Sequence, residues 1–459
     1  MLLKIRNDRS GKVEIRSNEL IGGKAMKGIK LTVIGGGSSY TPELVEGVIL
    51  HYKTLPVTEI VLVDIMQGEE KVQITTSLVQ RMVHKAGIDI KVSYTLNRKE
   101  GLIGADFVVA QLRVGGLDAR AIDERIPLKY GVVGQETTGP GGCFKALRTI
   151  PVMLSICEDM QEVCPDAWLI NFTNPAGIVT EAVNRYTKIK CIGLCNVPIN
   201  MIHDAATRLN VPTNELDCRF VGLNHLSMMH HAYYKGKDQI AKIVKVKQTK
   251  SIVKNIEKKD AIEVLQEKMV GLLSPYMQYF YLEKDMVAEE IRKVFSGEGT
   301  RAEQVKIVEN QLFEIYKDLN LDIKPEALSK RGGSRYSEAA IALIHSIYTD
   351  RGDIQVVNVP NGTLFPELPI DAVVEVNCVI NKNGAIPISS DGLPEVIKGL
   401  VCQVKAYERL TIEAAIEGNR DKLLLALMNN PLIHQFEDAQ CMMDDMLEAH
   451  KNYLTKFYE

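Results

Sequence analysis

The chain has 459 residues, 46% of them hydrophobic and 25% charged, with a formal net charge of −3. That length exceeds what one hydrophobic core ordinarily serves, so two domains are expected, and the near-neutral charge gives no electrostatic reason to expect nucleic acid or an anionic membrane as a partner. No apolar run approaches the roughly 18 residues of a bilayer span, and the nine cysteines are scattered without a framework pattern, as suits a reducing compartment, so a cytoplasmic protein is expected.

Residues 1–27 are polar and read as an N-terminal extension, with Met26 standing where a dinucleotide-binding chain would naturally begin. Residues 29–34 form an apolar run of strand length, followed at once by Gly35-Gly36-Gly37-Ser38-Ser39-Tyr40 and a helical pattern. Thr41 can cap that helix, Pro42 suits its first turn and Glu43 complements its positive end. Strand, glycine turn and helix form the setting in which backbone N–H groups cradle a pyrophosphate. Gly35, Gly37, Ser38, Ser39 and Tyr40 are therefore candidate cofactor-binding residues, although Tyr40 stands where the fingerprint has its last glycine. Residues 59–64 read as a second strand ending in Asp64. A carboxylate there can accept from a ribose 2′-hydroxyl and repels a 2′-phosphate, which favours NAD over NADP. A solvated acid at a strand end is the other reading of Asp64.

Further strands at 92–96, 107–112, 166–172 and 191–194 alternate with helical segments. This predicts an α/β, doubly wound, Rossmann-like parallel sheet over 28–196. Ligands of such sheets bind outside the carboxyl ends of strands, which draws attention to the polar loops 111–116 and 171–175. Arg120 follows the first of these on a predicted helix, and residues 133–142 are expected to form a shaped glycine-rich loop. Cys195 and His225 each follow a short apolar strand. Thiolate and imidazole suit a borderline divalent metal, while a buried cysteine is equally a small core hydrophobe.

From residue 197 the pattern predicts an α+β domain reaching 459. Helices are expected at 263–273, 302–318 and through most of 407–454, and strands at 356–359 and 372–380. Residues 235–259 read as a solvated surface element, 274–281 as an aromatic core cluster, and 330–334 as a basic glycine turn suited to an anion.

Five motifs recur in a telling order: Val33-Ile34-Gly35-Gly36-Gly37-Ser38-Ser39-Tyr40-Thr41-Pro42-Glu43, Gly134-Gln135-Glu136-Thr137-Thr138-Gly139, Asn171-Phe172-Thr173-Asn174-Pro175, Cys195-Asn196-Val197-Pro198 and Gly222-Leu223-Asn224-His225. Together they resemble glycoside hydrolase family 4, the NAD- and metal-dependent glycosidases, from residue 29 almost to the C-terminus. The Cys-Asn-x-Pro loop is similar to that of the 6-phospho-β-glucosidase branch, since α-specific members carry Asp in place of Asn196. The resemblance implies that Cys195 and His225 ligate a divalent metal, usually Mn²⁺, with NAD as cofactor. It implies Tyr276 as catalytic base, Glu136 as the acid that raises its basicity, and Arg120, Asn174, Asn196 and Arg301 as substrate-binding residues. The segment between Tyr276 and Arg301 is longer than in close relatives.

The implied reaction oxidises C3 of a 6-phospho-β-glucoside, removes the C2 proton, eliminates the aglycone, adds water and reduces C3 again. This is a route that needs no carboxylate pair. Asn196 cannot act as a general acid, so leaving-group departure is expected to draw a proton from water or another group. Implied partners are a phosphorylated disaccharide or aryl-glucoside and a homodimer or homotetramer. The alternatives are a 6-phospho-α-glucosidase or α-galactosidase of the same family and, more distantly, a 2-hydroxyacid dehydrogenase, whose lactate/malate-type fold the first domain would share.

Overall fold

The computed structural model describes residues 28–247, 251–253, 256–331 and 335–459. The expected extension at 1–27, with Met26, lies outside the described residues, as do Gly332, Gly333 and Ser334 of the basic turn. Six strands come first: β1 (Ile29–Ile34), β2 (Val57–Val63), β3 (Lys91–Thr95), β4 (Phe107–Ala110), β5 (Trp168–Asn171) and β6 (Lys190–Gly193). They pair in parallel in the order β3-β2-β1-β4-β5-β6, the doubly wound arrangement the alternation predicts. Parallel strands are covered on both faces, which is why Leu31, Thr32 and Val33 of β1 are all buried. Thr32 tolerates this by donating its hydroxyl to the Gly101 carbonyl at 2.8 Å.

The next strands are β7 (Leu216–Leu223), β8 (Leu226–Tyr234), β9 (Lys237–Asp238) and β10 (Leu272–Leu273), which build a smaller antiparallel sheet. Strands β11 (Asp353–Pro360), β12 (Val373–Asn381) and β13 (Gly384–Pro387) return to the first sheet and extend it antiparallel beyond β6 to nine strands. Helices Glu395–Glu417, Arg420–Asn429 and Phe436–Ala449 account for the predicted helical C-terminus. Among the described residues no helix is long and apolar enough to cross a membrane.

Four local expectations are corrected. Thr41 is the first residue of helix Thr41–His51 rather than its cap, and its hydroxyl donates to the Gly36 carbonyl at 2.8 Å. The glycines at 139–142 do not form an open loop but begin helix Gly139–Val163. A Cβ on Gly141 or Gly142 would collide with the Gln135 or Thr137 backbone, so glycine here permits close packing of a helix against the preceding segment. The helix expected at 263–273 is Asp260–Met269; it ends at Val270 in the left-handed region, and Leu272–Leu273 pairs with β8. The stretch at 235–259 is not merely solvated, because Ile240, Ile243, Val244, Val253 and Ile256 are buried in the core around the smaller sheet.

Candidate active site

The main sheet reverses its winding between β1 and β4, where ligands of such folds bind. β1 is followed at once by Gly35, whose φ of 81° only glycine adopts without strain, and the Gly35 and Gly36 N–H groups donate to the Val63 carbonyl at 2.9 Å each. Gly37 N–H donates to one Asp64 carboxylate oxygen at 2.8 Å, and Ile65 N–H donates to the other at 2.9 Å. Asp64 therefore braces the glycine turn as well as standing at the end of β2. Ser39 is buried with no partner for its hydroxyl, at the entrance to helix Thr41–His51. A glycine turn, an unsatisfied buried hydroxyl and a positive helix end fit a dinucleotide phosphate. The Arg331 guanidinium lies 4.2 Å from the Tyr40 ring centroid, so the described part of the basic turn faces this loop.

Beyond β4 sits a dense charge cluster. Glu136 is paired with Arg113, with Arg120 at 2.9 Å and with Lys145 at 2.7 Å. Burial opposes ionisation of Glu136, but these three cations outweigh it and hold the carboxyl well below its ordinary range. Burial and the neighbouring Arg113 push Lys145 down to about 7, against the pull of Glu136. Arg120 also donates to Glu124 at 2.7 Å, and Glu124 in turn accepts from Ala302 N–H at 2.7 Å. This seats Arg301, the first residue of helix Arg301–Tyr316, close enough to Arg120 that burial and Arg120's charge together lower its pKa. Two neighbouring guanidinium groups suit a shared anion. Arg120, Glu124, Tyr279, Glu290 and Arg301 line one cavity of about 580 Å³, together with Lys258 from the stretch expected to be solvated.

Cys195 follows β6, His225 lies in the tight turn between β7 and β8, and Tyr276 lies in the short 3₁₀ turn Pro275–Met277. His225 has a φ of 65°, an unusual conformation for a residue with a side chain. Its ring stacks on Tyr276 with centroids 3.6 Å apart and planes 5° from parallel. Thr137 fixes its tautomer. The Gln135 side-chain oxygen accepts from Thr137 N–H, Thr137 Oγ1–H and Thr138 N–H. The Thr137 oxygen is thus left to accept from His225 Nδ1–H at 3.0 Å, and Nε2 keeps its lone pair. Burial lowers the His225 pKa to about 3, so the ring is neutral, as a metal ligand must be.

The Cys195 thiol is pushed up to about 12 by burial and by Glu375, and the side chain of Asn224, next to His225, hydrogen-bonds to it. Asn224 also donates to the buried Glu375 at 3.0 Å, and Ser227 donates to the same carboxylate at 2.7 Å. Asn196 occupies the N-cap position of helix Val197–Leu209, one residue past Cys195. Asn174 sits beyond β5, where Thr173 is held by Asn171 and by Leu112 N–H.

Gln135, Thr137 and Asn224 complete this site as members of the quoted motifs, with no role assigned to them there, and Lys145 and Glu375 are not singled out by sequence reasoning. Glu375 had a plain signal, since it is the one charged residue in the β-branched run 373–380.

Fold and site together define an α/β enzyme in which a half-buried thiol follows β6 of a Rossmann-like sheet and a buried imidazole and phenol come from turns of the smaller sheet. Residues 30–211 match the model of the family 4 glycosyl hydrolases, and residues 220–433 match that of their C-terminal domain. This chain belongs to glycosyl hydrolase family 4. It is 49% identical to the "Probable 6-phospho-beta-glucosidase" of Bacillus subtilis, covering 94% of this chain and 98% of the relative. It is 43% identical to the 6-phospho-β-glucosidase of Escherichia coli, covering 94% and 97%. The 6-phospho-β-glucosidase of Thermotoga maritima, solved with manganese, NAD⁺ and glucose 6-phosphate, superposes with a TM-score of 0.84 at 36% identity, covering 93% and 99%.

Proposed function

We propose that this enzyme hydrolyses 6-phospho-β-glucosides to glucose 6-phosphate and an aglycone. The observation that carries the reading is the flat stack of His225 on Tyr276, with His225 Nε2 left free and Cys195 joined to the same turn through Asn224. The Gly35–Tyr40 turn would hold NAD, which supplies reversible oxidation of a sugar hydroxyl, and Cys195 with His225 would hold a divalent metal, which supplies Lewis acidity beside the carbonyl so formed.

The chain's own groups do the rest. Arg120 and Arg301 take the 6-phosphate between them, with Glu124 orienting Arg120 and accepting from the backbone beside Arg301. Tyr276 removes the C2 proton through its phenolic oxygen, next to the Arg120 charge. Glu136 keeps the surrounding cations in place, and Asn174 and Asn196 orient the sugar hydroxyls. Asn196 provides no proton for the leaving group, so water supplies it. The aglycone is a second sugar or an aryl group.

The test is hydrolysis of p-nitrophenyl-β-glucoside 6-phosphate by stripped protein, with NAD⁺ and Mn²⁺ each withheld under reducing conditions. Activity that requires both supports the reading. Activity that persists with neither overturns it.

A further inference from the structure

His230 and His231 are consecutive residues of β8, where side chains ordinarily alternate between faces. Here they do not. Arg219 pairs with His231 and Phe220 pairs with Met229, so His230 is the extra residue of a β-bulge. The bulge brings the two imidazoles side by side, with ring centroids 4.5 Å apart. His230 Nδ1–H donates to the Arg219 carbonyl at 3.0 Å, and His231 Nδ1–H donates to Asp238 at 2.6 Å. Carbonyl and carboxylate only accept, so both rings place a proton on Nδ1, and Nε2 is the nitrogen each can offer a cation. Asp391, from the segment between β13 and helix Glu395–Glu417, reaches within 3.6 Å of His231 Nε2. One ligand atom from each of the three residues lies within 4.8 Å of the other two.

We propose that His230, His231 and Asp391 form a second divalent-metal site, selective for a borderline ion such as Zn²⁺ over Mg²⁺ or Ca²⁺. Two imidazoles and one carboxylate are the ligand set that distinguishes these ions. The carbonyl and carboxylate behind the rings are the outer partners that orient metal-bound histidines. Asp391 is 88% exposed, so water completes the coordination. The site lies about 15 Å along β8 from His225, too far to share an ion with Cys195. Its occupation ties the 388–394 segment to the smaller sheet.

The test uses untagged, chelator-stripped full-length protein carrying Cys195→Ser and His225→Ala, which removes the candidate catalytic metal ligands. Zn²⁺ is titrated by calorimetry and counted after gel filtration. One Zn²⁺ per chain is expected, with binding lost in His231→Ala and weakened at least tenfold in Asp391→Ala. The same Asp391→Ala change in otherwise unaltered protein, a surface substitution, should weaken binding of that Zn²⁺ by the same factor and leave Mn²⁺-dependent hydrolysis unchanged. Absence of bound Zn²⁺, or a count insensitive to both His231→Ala and Asp391→Ala, overturns the proposal. Hydrolysis plays no part in the metal count, so the site stands or falls independently of the proposed reaction.

Discussion

Thr137 decides which imidazole nitrogen of His225 is free, because its own proton is committed to Gln135. Thr137→Val keeps the shape and removes the acceptor. Mn²⁺ affinity should fall about 10- to 100-fold, read as a rightward shift of the Mn²⁺ dependence of hydrolysis with little change at saturation. An unshifted curve would count against the assigned tautomer. Glu290 makes a second residue-scale case. Burial keeps its carboxyl protonated up to about 8 in the folded chain, whereas the unfolded chain ionises near the ordinary 4.5. Between those values the folded state holds the extra proton, so stability declines as pH rises through that window. The contribution is on the order of 2 kcal/mol, since the group borders an open cavity. Glu290→Gln keeps an acceptor for Gly134 N–H and should lose less stability than the parent between pH 5 and 8 in urea unfolding. Equal losses would refute the assignment. Both effects were invisible in the sequence, where Thr137 is one residue of a motif and Glu290 one acid on a charged helix.

Helix Arg301–Tyr316 shows the same limit at the scale of the element. Its pattern was readable and its start came within one residue, but the cap that fixes the start was not. Thr300 and Glu303 form a reciprocal capping box, in which Thr300 N–H donates to Glu303 at 2.7 Å and Glu303 N–H donates back to the threonine hydroxyl at 3.4 Å. The box places Arg301 at the first helical position, facing Arg120 across Glu124. Thr300→Ala should cost about 1 kcal/mol in unfolding. It should also raise KM for a phosphorylated substrate more than it lowers kcat, and a change confined to kcat would separate the cap from phosphate binding. The glycines at 139–142 taught the converse lesson. Composition alone suggested a loop, yet close contact with the preceding backbone makes them the first turn of a 25-residue helix.

At the scale of the molecule, the two sheets are joined through Asn377 on β12. Its side chain accepts from Phe220 N–H at 2.7 Å and donates to the Cys218 carbonyl at 2.8 Å, closing the free edge of β7. Asn377→Ala would strand two buried backbone groups and should cost about 3 kcal/mol, measured as a lower urea midpoint. A shift below about 1 kcal/mol would mean that water replaces the bridge. The sequence by itself determined what depends on neighbours along the chain: the alternation that makes a parallel sheet, the glycine turn after β1, and the motifs that place a thiol, an imidazole and a phenol in loops. Only the tertiary structure decided that β11 to β13 rejoin the first sheet, that Glu375 stands behind Asn224, and that Tyr276 lies flat on His225. Those pairings link residues from 51 positions apart (His225 and Tyr276) to 165 (Gly193 and Asn358), and they follow from which edges and faces the folded sheets leave to be covered, a property that no local pattern carries.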